Sequence, residues 1–193
     1  MPRHREFNPD QALQTAISLF WEKGFYDTSV DEVVKRSGVA TYGIYGTFGT
    51  KRELFKKVLT RYAEDRHKDI QAPIRKPEAS LPEILEFFNA LPARLTKKDF
   101  QHGCLINNTG MELGMRDIEF SGFVKEFFAE TTRVMQQCLQ RAVESSQLDE
   151  SVDAGLLASY LVTEFRAALM LAGSGCTRRD IRRHLAVALQ VLK

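Results

Sequence analysis

The side chains best suited to bond-breaking chemistry are few in this chain and poorly spaced for it. The four histidines, at 4, 67, 102 and 184, and the three cysteines, at 104, 138 and 176, form no cluster with metal-ligand spacing. No Ser/His/Asp set and no glycine-rich phosphate loop is recognisable. His102 and Cys104 are the one suggestive pair, and residues two apart on a helix do not face each other. The chain is therefore not expected to be an enzyme, and no metal or cofactor is expected. What remains is chemistry of recognition. Thr41-Tyr42-Gly43 places a short hydroxyl, a phenol and a bare backbone in succession within a short apolar segment.

The elements that must hold those residues are helical. Asn8-Pro9 supplies an N-cap acceptor and a proline at the first turn. Leu13, Ala16, Ile17, Phe20 and Trp21 follow on one helical face, and Gly24 closes the helix with Phe25 packing back over it. Thr28-Ser29-Val30-Asp31 resembles a capping box with the shorter acid, opening a helix along Val30, Val33 and Val34 that stops at Ser37-Gly38. A third short segment, 39–48, carries Ile44, Tyr45 and Phe48 at core spacing. Thr50-Lys51-Arg52-Glu53 is a full capping box before Leu54, Phe55, Val58, Leu59 and Tyr62. Two short helices joined by about four residues around Gly38 match a helix-turn-helix unit.

Prolines 73, 77 and 82 mark a hinge near residues 71–80, which gives two expected domains, 1–68 and 69–193. Beyond the hinge, Ser80-Leu81-Pro82-Glu83 opens a helix with Ile84, Leu85, Phe88 and Leu91. Helices are also expected over about 104–115, 117–145 and 152–172, and from Thr177 through Leu192. No β alternation and no internal repeat is found, so the fold class is all-α. The longest uncharged stretches, such as 155–163, are cut by Glu164 short of a membrane span, and no membrane partner is expected. The polar start and the odd, scattered cysteines suit a cytoplasmic location. A net charge of +2 does not by itself point to nucleic acid, although residues 1–68 are mildly basic and the remainder near neutral.

Gly24-Phe25, Thr28-Ser29-Val30, Ser37-Gly38-Val39, Ile44-Tyr45, Phe48 and Lys51-Arg52-Glu53-Leu54-Phe55, read together over about residues 8–57, resemble the signature of the TetR/AcrR transcriptional regulators. Farther along, 103–108 (Gly103-Cys104-Leu105-Ile106-Asn107-Asn108) is similar to a segment found in many members. The resemblance implies a DNA-binding regulator, repressing by default, that meets a near-palindromic operator in double-stranded DNA as a homodimer and is released by a small-molecule effector. The chain departs from the pattern in two places. Ala40 stands where a Ser or Thr usually caps the recognition helix, and Tyr42-Gly43 replaces a small residue followed by Ser or Thr. Both are base-reading positions, so they bear on which operator is read.

A recognition helix presents its N-terminal end to the major-groove floor. Thr41, Tyr42 and Gly43 lie there. Tyr42 can stack on a thymine methyl or donate its hydroxyl, Thr41 offers a short hydroxyl, and Gly43 lets the backbone approach. Gly43 and Gly46 have an alternative reading, as relief of crowding against the first helix. Thr28, at the start of the second helix, has a hydroxyl and backbone N–H groups for a phosphate. By resemblance, Tyr45 and Lys51 take similar roles, with Thr47 a weaker candidate. Arg3, His4 and Arg5 form either an arm along the DNA or a solvated tail.

In the second region, Phe88, Phe123 and Phe127 fall where helices face inward, with Asn108, Glu112 and Glu164 as polar groups that would need partners or a ligand. Met111 and Met115 are adaptable walls. Cys104 lines this effector region or reacts with an electrophile, helped by His102, Lys97 and Lys98; otherwise it is a small buried hydrophobe. The last two helices carry Ala158, Leu161, Val162, Phe165 and Leu169, then Ile181, Leu185, Ala188, Leu189 and Leu192. These apolar positions exceed what one small domain must bury. Leu161, Phe165, Ile181, Leu185, Leu189 and Leu192 are accordingly expected to form a dimeric four-helix bundle. The competing readings are an all-α enzyme or small-molecule carrier whose first helices only pack, and an interaction module with a degenerate helix-turn-helix.

Overall fold

The computed structural model describes residues 8–97, 100 and 102–192. Arg3, His4, Arg5 and Lys98 lie outside the described residues, as do the roles expected of them. Among the described residues there are nine α-helices and no strand: α1 (Pro9–Lys23), α2 (Val30–Ser37), α3 (Thr41–Phe48), α4 (Lys51–Asp69), α5 (Leu81–Arg94), α6 (Leu105–Leu113), α7 (Ile118–Glu144), α8 (Ala154–Gly173) and α9 (Arg178–Ala188). Short 3₁₀ turns lie at Pro73–Arg75 and Leu189–Leu192. The chain divides into two compact units, one ending at Glu64 and the other beginning at Asp65. That division falls within α4, a little before the expected boundary at 68 and before the proline-marked hinge.

The first unit is set by helix-end chemistry. Asn8 accepts from the Gln11 N–H at 3.2 Å, and Pro9 follows at the first turn. Gly24 ends α1 at φ 82°, a conformation that costs a side-chain-bearing residue 1–2 kcal/mol by rough estimate. The ring of Phe25 then closes over Phe20 and Phe55, with centroids 6.3 and 5.0 Å away. The second helix starts one residue later than the sequence suggests. Its cap is Ser29, boxed with Glu32 rather than Thr28 with Asp31: Glu32 N–H donates to Ser29 Oγ at 3.1 Å and Ser29 N–H to Glu32 Oε2 at 3.2 Å. At α4 the expected box forms, Thr50 N–H donating to Glu53 Oε2 at 2.7 Å. Ala12, Ala16, Leu19, Phe20, Val33, Ile44, Leu54, Phe55, Val58 and Leu59 are all buried, a shared core onto which three short helices can fold. Trp21 is half-buried, edge-on to Tyr62 at 5.5 Å.

The second unit is organised around α7 and α8, with α5, α6 and α9 against them. Phe87, Phe88, Leu91, Phe120, Met135, Leu139, Leu161, Leu169 and Ile181 form its centre. Two close approaches fix α6. A Cβ on Gly110 would stand 3.1 Å from Val124, and one on Gly103 would stand 2.9 Å from the Gly173 Cα. The glycine of the 103–108 segment thus lets the loop lie directly against the end of α8. A polar chain, buried at Gln71 and Thr131, ties the second unit together: Gln71 Nε2 donates to Thr131 Oγ1 at 3.1 Å, Arg75 donates to Gln71 Oε1, and Arg75 pairs with Glu130 at 2.9 Å. By length and composition α8 is apolar enough to cross a membrane, so Glu164 does not break the run as the sequence suggested. It is also the core helix of this unit, its Ala158, Leu161, Val162, Phe165, Ala168 and Leu169 buried.

Candidate nucleic-acid interface

The short helix α3 has two faces. Ile44 and Phe48 point into the core, while Thr41, Tyr42, Tyr45 and Gly46 are exposed, at the i, i+1, i+4, i+5 spacing of a single helical face. Tyr42 is 82% exposed, the most solvent-facing ring among the described residues of the first unit. Gly43 and Thr47 are half-buried on the flanks. A Cβ at Gly46 would meet nothing within 4 Å, so crowding inside the chain does not call for glycine there. Ala40 makes no side-chain cap, which leaves the first N–H groups of α3 without a hydroxyl acceptor from that position. At the other end Lys57 Nζ donates to the Thr47 carbonyl at 2.7 Å, a cation placed on the negative end of the helix.

Beside this face lies a shallow cleft of about 350 Å³, lined by Tyr26, Asp27, Thr28, Ser29, Val30, Asp31, Tyr45 and Lys51. It joins the start of α2, the exposed face of α3 and the start of α4. Lys51 is held over the Phe25 ring, 4.6 Å from its centroid, and donates to the Tyr26 carbonyl at 3.1 Å. Thr28 does not offer its hydroxyl outward. It is buried and donates to the Gly24 carbonyl at 2.7 Å, fastening the α1–α2 turn, so the phosphate role expected of its hydroxyl is withdrawn. The acids that cap these helices stay ionised readily. The Lys23 ammonium and then the Ser29 N–H hold Glu32 below the ordinary carboxylate range, and the Thr50 N–H and hydroxyl do the same for Glu53. An exposed uncharged helix face, with a cation and a second helix start beside it, is suited to lying against a polyanion.

Residues 12–58 match the bacterial regulatory proteins of the tetR family, and residues 80–186 match the tetracyclin repressor-like C-terminal domain. The chain belongs to the tetR family. It is a DNA-binding transcriptional regulator of helix-turn-helix type, in agreement with its curated relatives. It is 26% identical over the full length of both chains to the regulator YezE of Bacillus subtilis (strain 168). It is 29% identical to the repressor ComR of Escherichia coli (strain K12), over 82% of this chain and 76% of that one. Among solved structures, a cysteine-substituted form of the regulator CifR, complexed with a 26-base-pair operator duplex, superposes with a TM-score of 0.79. That match has 23% identity and covers 98% of this chain and 97% of that one. A TetR regulator from Chloroflexus aurantiacus gives 0.84 at 19% identity, covering 94% and 91%. These two likenesses concern the fold.

In the second unit of this tetR-family regulator the expected site residues separate into several groups. Phe88, Cys104 and Phe127 are buried, and Phe123 and Glu112 are half-buried. Asn108 and Met111 are not inward-facing. On α6 the buried positions are Leu105, Ile106, Asn107, Thr109 and Leu113, which turns residues 108 and 111 toward solvent. Met115, fully exposed, leaves the proposed wall as well. Glu164 is engaged by its own chain, with Oε2 2.8 Å from His184 Nε2, a brace between α8 and α9. Cys138 sits in the core beside Arg141, and burial pushes its thiol above the ordinary value. Phe127 stacks on His67, with centroids 5.1 Å apart and planes 8° from parallel.

The apolar stripe expected to meet a partner is largely the chain's own core. Leu161, Phe165, Ile181, Leu185 and Leu192 are buried within the single chain, and Leu189 is half-buried. The same helices carry a second apolar face that the single chain leaves exposed. Leu156, Tyr160, Thr163 and Met170 on α8 are exposed with Ala167 half-buried between them, at alternating four- and three-residue steps. Val187 and Val191 are exposed on the last segment. That spacing repeats on one side of a helix. α8 is apolar on both sides, and the chain buries the side that carries Leu161 and Phe165.

Proposed function

We propose that the chain is a transcriptional repressor that binds a near-palindromic operator as a homodimer and is released when a small molecule binds its second domain. The observation that carries this reading is the exposed face of α3, with Thr41, Tyr42, Tyr45 and Gly46 directed outward beside Lys51. In the major groove, Thr41 and Tyr42 reach base edges while Gly43 and Gly46 let the backbone come close. Tyr45, Lys51 and the exposed N–H groups at the start of α2 take phosphates, and Thr47 is a flanking contact. Asp27 and Asp31 line the same cleft, so a phosphate is best placed at the Tyr45–Lys51 edge, away from them. The comparison proteins add support, because three of the relatives are named repressors and CifR is seen on operator DNA.

The second copy of the chain packs along Leu156, Tyr160, Thr163, Met170, Val187 and Val191, forming a four-helix seam with the Glu164–His184 pair at its side. The effector lies among Phe88, Cys104, Phe123, Phe127 and Glu112. The DNA-binding domain takes residues 1–68 and the effector and dimerisation domain 69–193, and the site of action is the cytoplasm. The test is selection of duplexes from a random library by the full-length protein, followed by footprinting. A two-fold symmetric site covered by one dimer is expected. Recovery of no preferred duplex at low salt, or of an asymmetric site bound by one chain, counts against the proposal.

A further inference from the structure

The helix α3 contains no Lys, Arg, His, Asn, Gln, Asp or Glu anywhere along Thr41–Phe48. The pairings that read guanine or adenine bidentately in the major groove need a guanidinium, an ammonium or a carboxamide. Three cations on the neighbouring helices have partners in their own chain. Arg36 pairs with Glu22 at 3.0 Å, Lys51 donates to the Tyr26 carbonyl, and Lys57 donates to the Thr47 carbonyl. Lys35 and Arg36 line a separate cleft with Leu19 and Glu32, on the side of α2 that faces α1.

The exposed face of α3 offers something else: the Tyr42 ring, the partly exposed Tyr45 ring, the methyl and hydroxyl of Thr41, and the bare Cα of Gly46. The apolar group that base pairs present on the major-groove floor is the C5-methyl of thymine. Gly46 lies one turn beyond Tyr42 on the same face, and nothing in the chain fills the space its Cβ would occupy. A glycine inside a helix weakens it, so its presence on the open face is best accounted for by close approach of an outside surface.

We infer that each operator half-site is read beneath α3 through thymine C5-methyl groups. Tyr42 is the specificity-determining contact, Thr41 assists it, and Gly46 is the gap that admits the groove floor. This rests on the DNA-binding reading of α3 given above. Sequence preference then comes from apolar contact with methyls rather than from hydrogen bonds to guanine or adenine. A cytosine carrying a C5-methyl presents the same apolar group as thymine.

The experiment uses the duplex selected by the full-length protein. Each thymine is replaced in turn by deoxyuridine, which removes only the methyl, and each guanine and adenine by its 7-deaza analogue. At one or two thymines per half-site, uracil should weaken binding about fourfold, the equivalent of one buried methyl, and about fifteenfold when both half-sites are changed. The 7-deaza analogues should change affinity less than twofold at the base pairs whose thymine effect depends on Tyr42. The Y42A variant should keep its fold, because the ring is solvent-facing, and should bind thymine and uracil duplexes equally. Uracil tolerated at every position, a thymine effect that survives in Y42A, or a tenfold loss with 7-deazaadenine at those base pairs would overturn the inference while leaving specific DNA binding intact. Failure to select any preferred duplex would overturn both.

Discussion

Replacing Gly46 with alanine separates stability from binding, because the structure assigns the two effects opposite signs. The position lies inside α3, is exposed, and has nothing within 4 Å of the Cβ it lacks. Alanine in a helix interior is favoured over glycine by about 1 kcal/mol, and no steric term opposes that gain here. For a chain of this size melting as one unit, the gain corresponds to a rise of about 2–4 °C in Tm. On DNA the new methyl stands on the face that meets the groove floor. A loss of tenfold or more in operator affinity is expected, equivalent to about 1.4 kcal/mol. Gly49→Ala provides the contrast. Gly49 has φ +76°, and a Cβ there runs into the Glu53 carboxylate that caps α4. That variant should lose stability, by about 1–2 kcal/mol from the left-handed backbone alone. Thermal melts by circular dichroism and operator titrations by fluorescence anisotropy, run on the same preparations, give both readouts. A G46A protein that melts higher and binds as tightly as the parent would refute the close approach of α3. One that melts lower would refute the account of the free helix.

The other expectations are as follows. Lys51→Ala should weaken binding to all duplexes alike and lower the slope of log affinity against log salt by about one; a loss confined to one sequence would argue for a base contact instead. Thr28→Val should cost about 1–3 kcal/mol of stability by leaving the Gly24 carbonyl unsatisfied, with the salt slope unaltered; a changed slope would return Thr28 to the phosphate contacts. Tyr160→Glu combined with Val187→Glu should give folded monomer in sedimentation, whereas Leu185→Glu should unfold the chain by placing a charge in its own core; a folded monomer from L185E would restore the inner stripe as the interface. In acid the sign follows from the capping carboxylates. Glu32, Glu53 and Glu83 titrate below their ordinary 4.5 in the folded chain, so the stabilisation they give is present above that value and is lost as pH falls through the lower folded values. Tm should hold between pH 7 and 5, then fall, and the fall should be shallower in an E32Q/E53Q double variant; identical acid profiles for the two proteins would contradict this.

Helix ends were the most legible part of the sequence, because their signals are local. Asn8-Pro9, Thr50…Glu53, Ser80…Glu83 and Thr177…Asp180 each act over three residues, and each opens a helix where expected. The shift of the capping box at α2 arises because Thr28 and Ser29 both have an acid three residues on. Tertiary burial decides between them by drawing the Thr28 hydroxyl onto Gly24. Which face of a helix turns inward was less legible wherever both faces are apolar. On α8 both sides are apolar, and packing against α7 and α9 takes Leu161 and Phe165 inward while Leu156 and Tyr160 stay exposed. On α6 the inward side takes Asn107 and Thr109 in preference to Asn108 and Met111. Close glycine contacts to α7 and α8 set that register, and helical periodicity within nine residues does not reveal it. The sequence leaves Gly46 open between relief of crowding and close approach for a related reason, since a glycine's role depends on what surrounds its missing Cβ.

The central claim, that this chain reads DNA through the exposed face of α3, is tested most directly by titrating the selected operator and a scrambled duplex of equal length across salt. The account gives a specific affinity about 10³-fold or more above the scrambled one at physiological salt, with both falling linearly in log–log form. It also gives a Y42A variant in which that ratio collapses while the salt slope stays. Equal affinity for the two duplexes at every salt concentration, or a ratio untouched by Y42A, would contradict it.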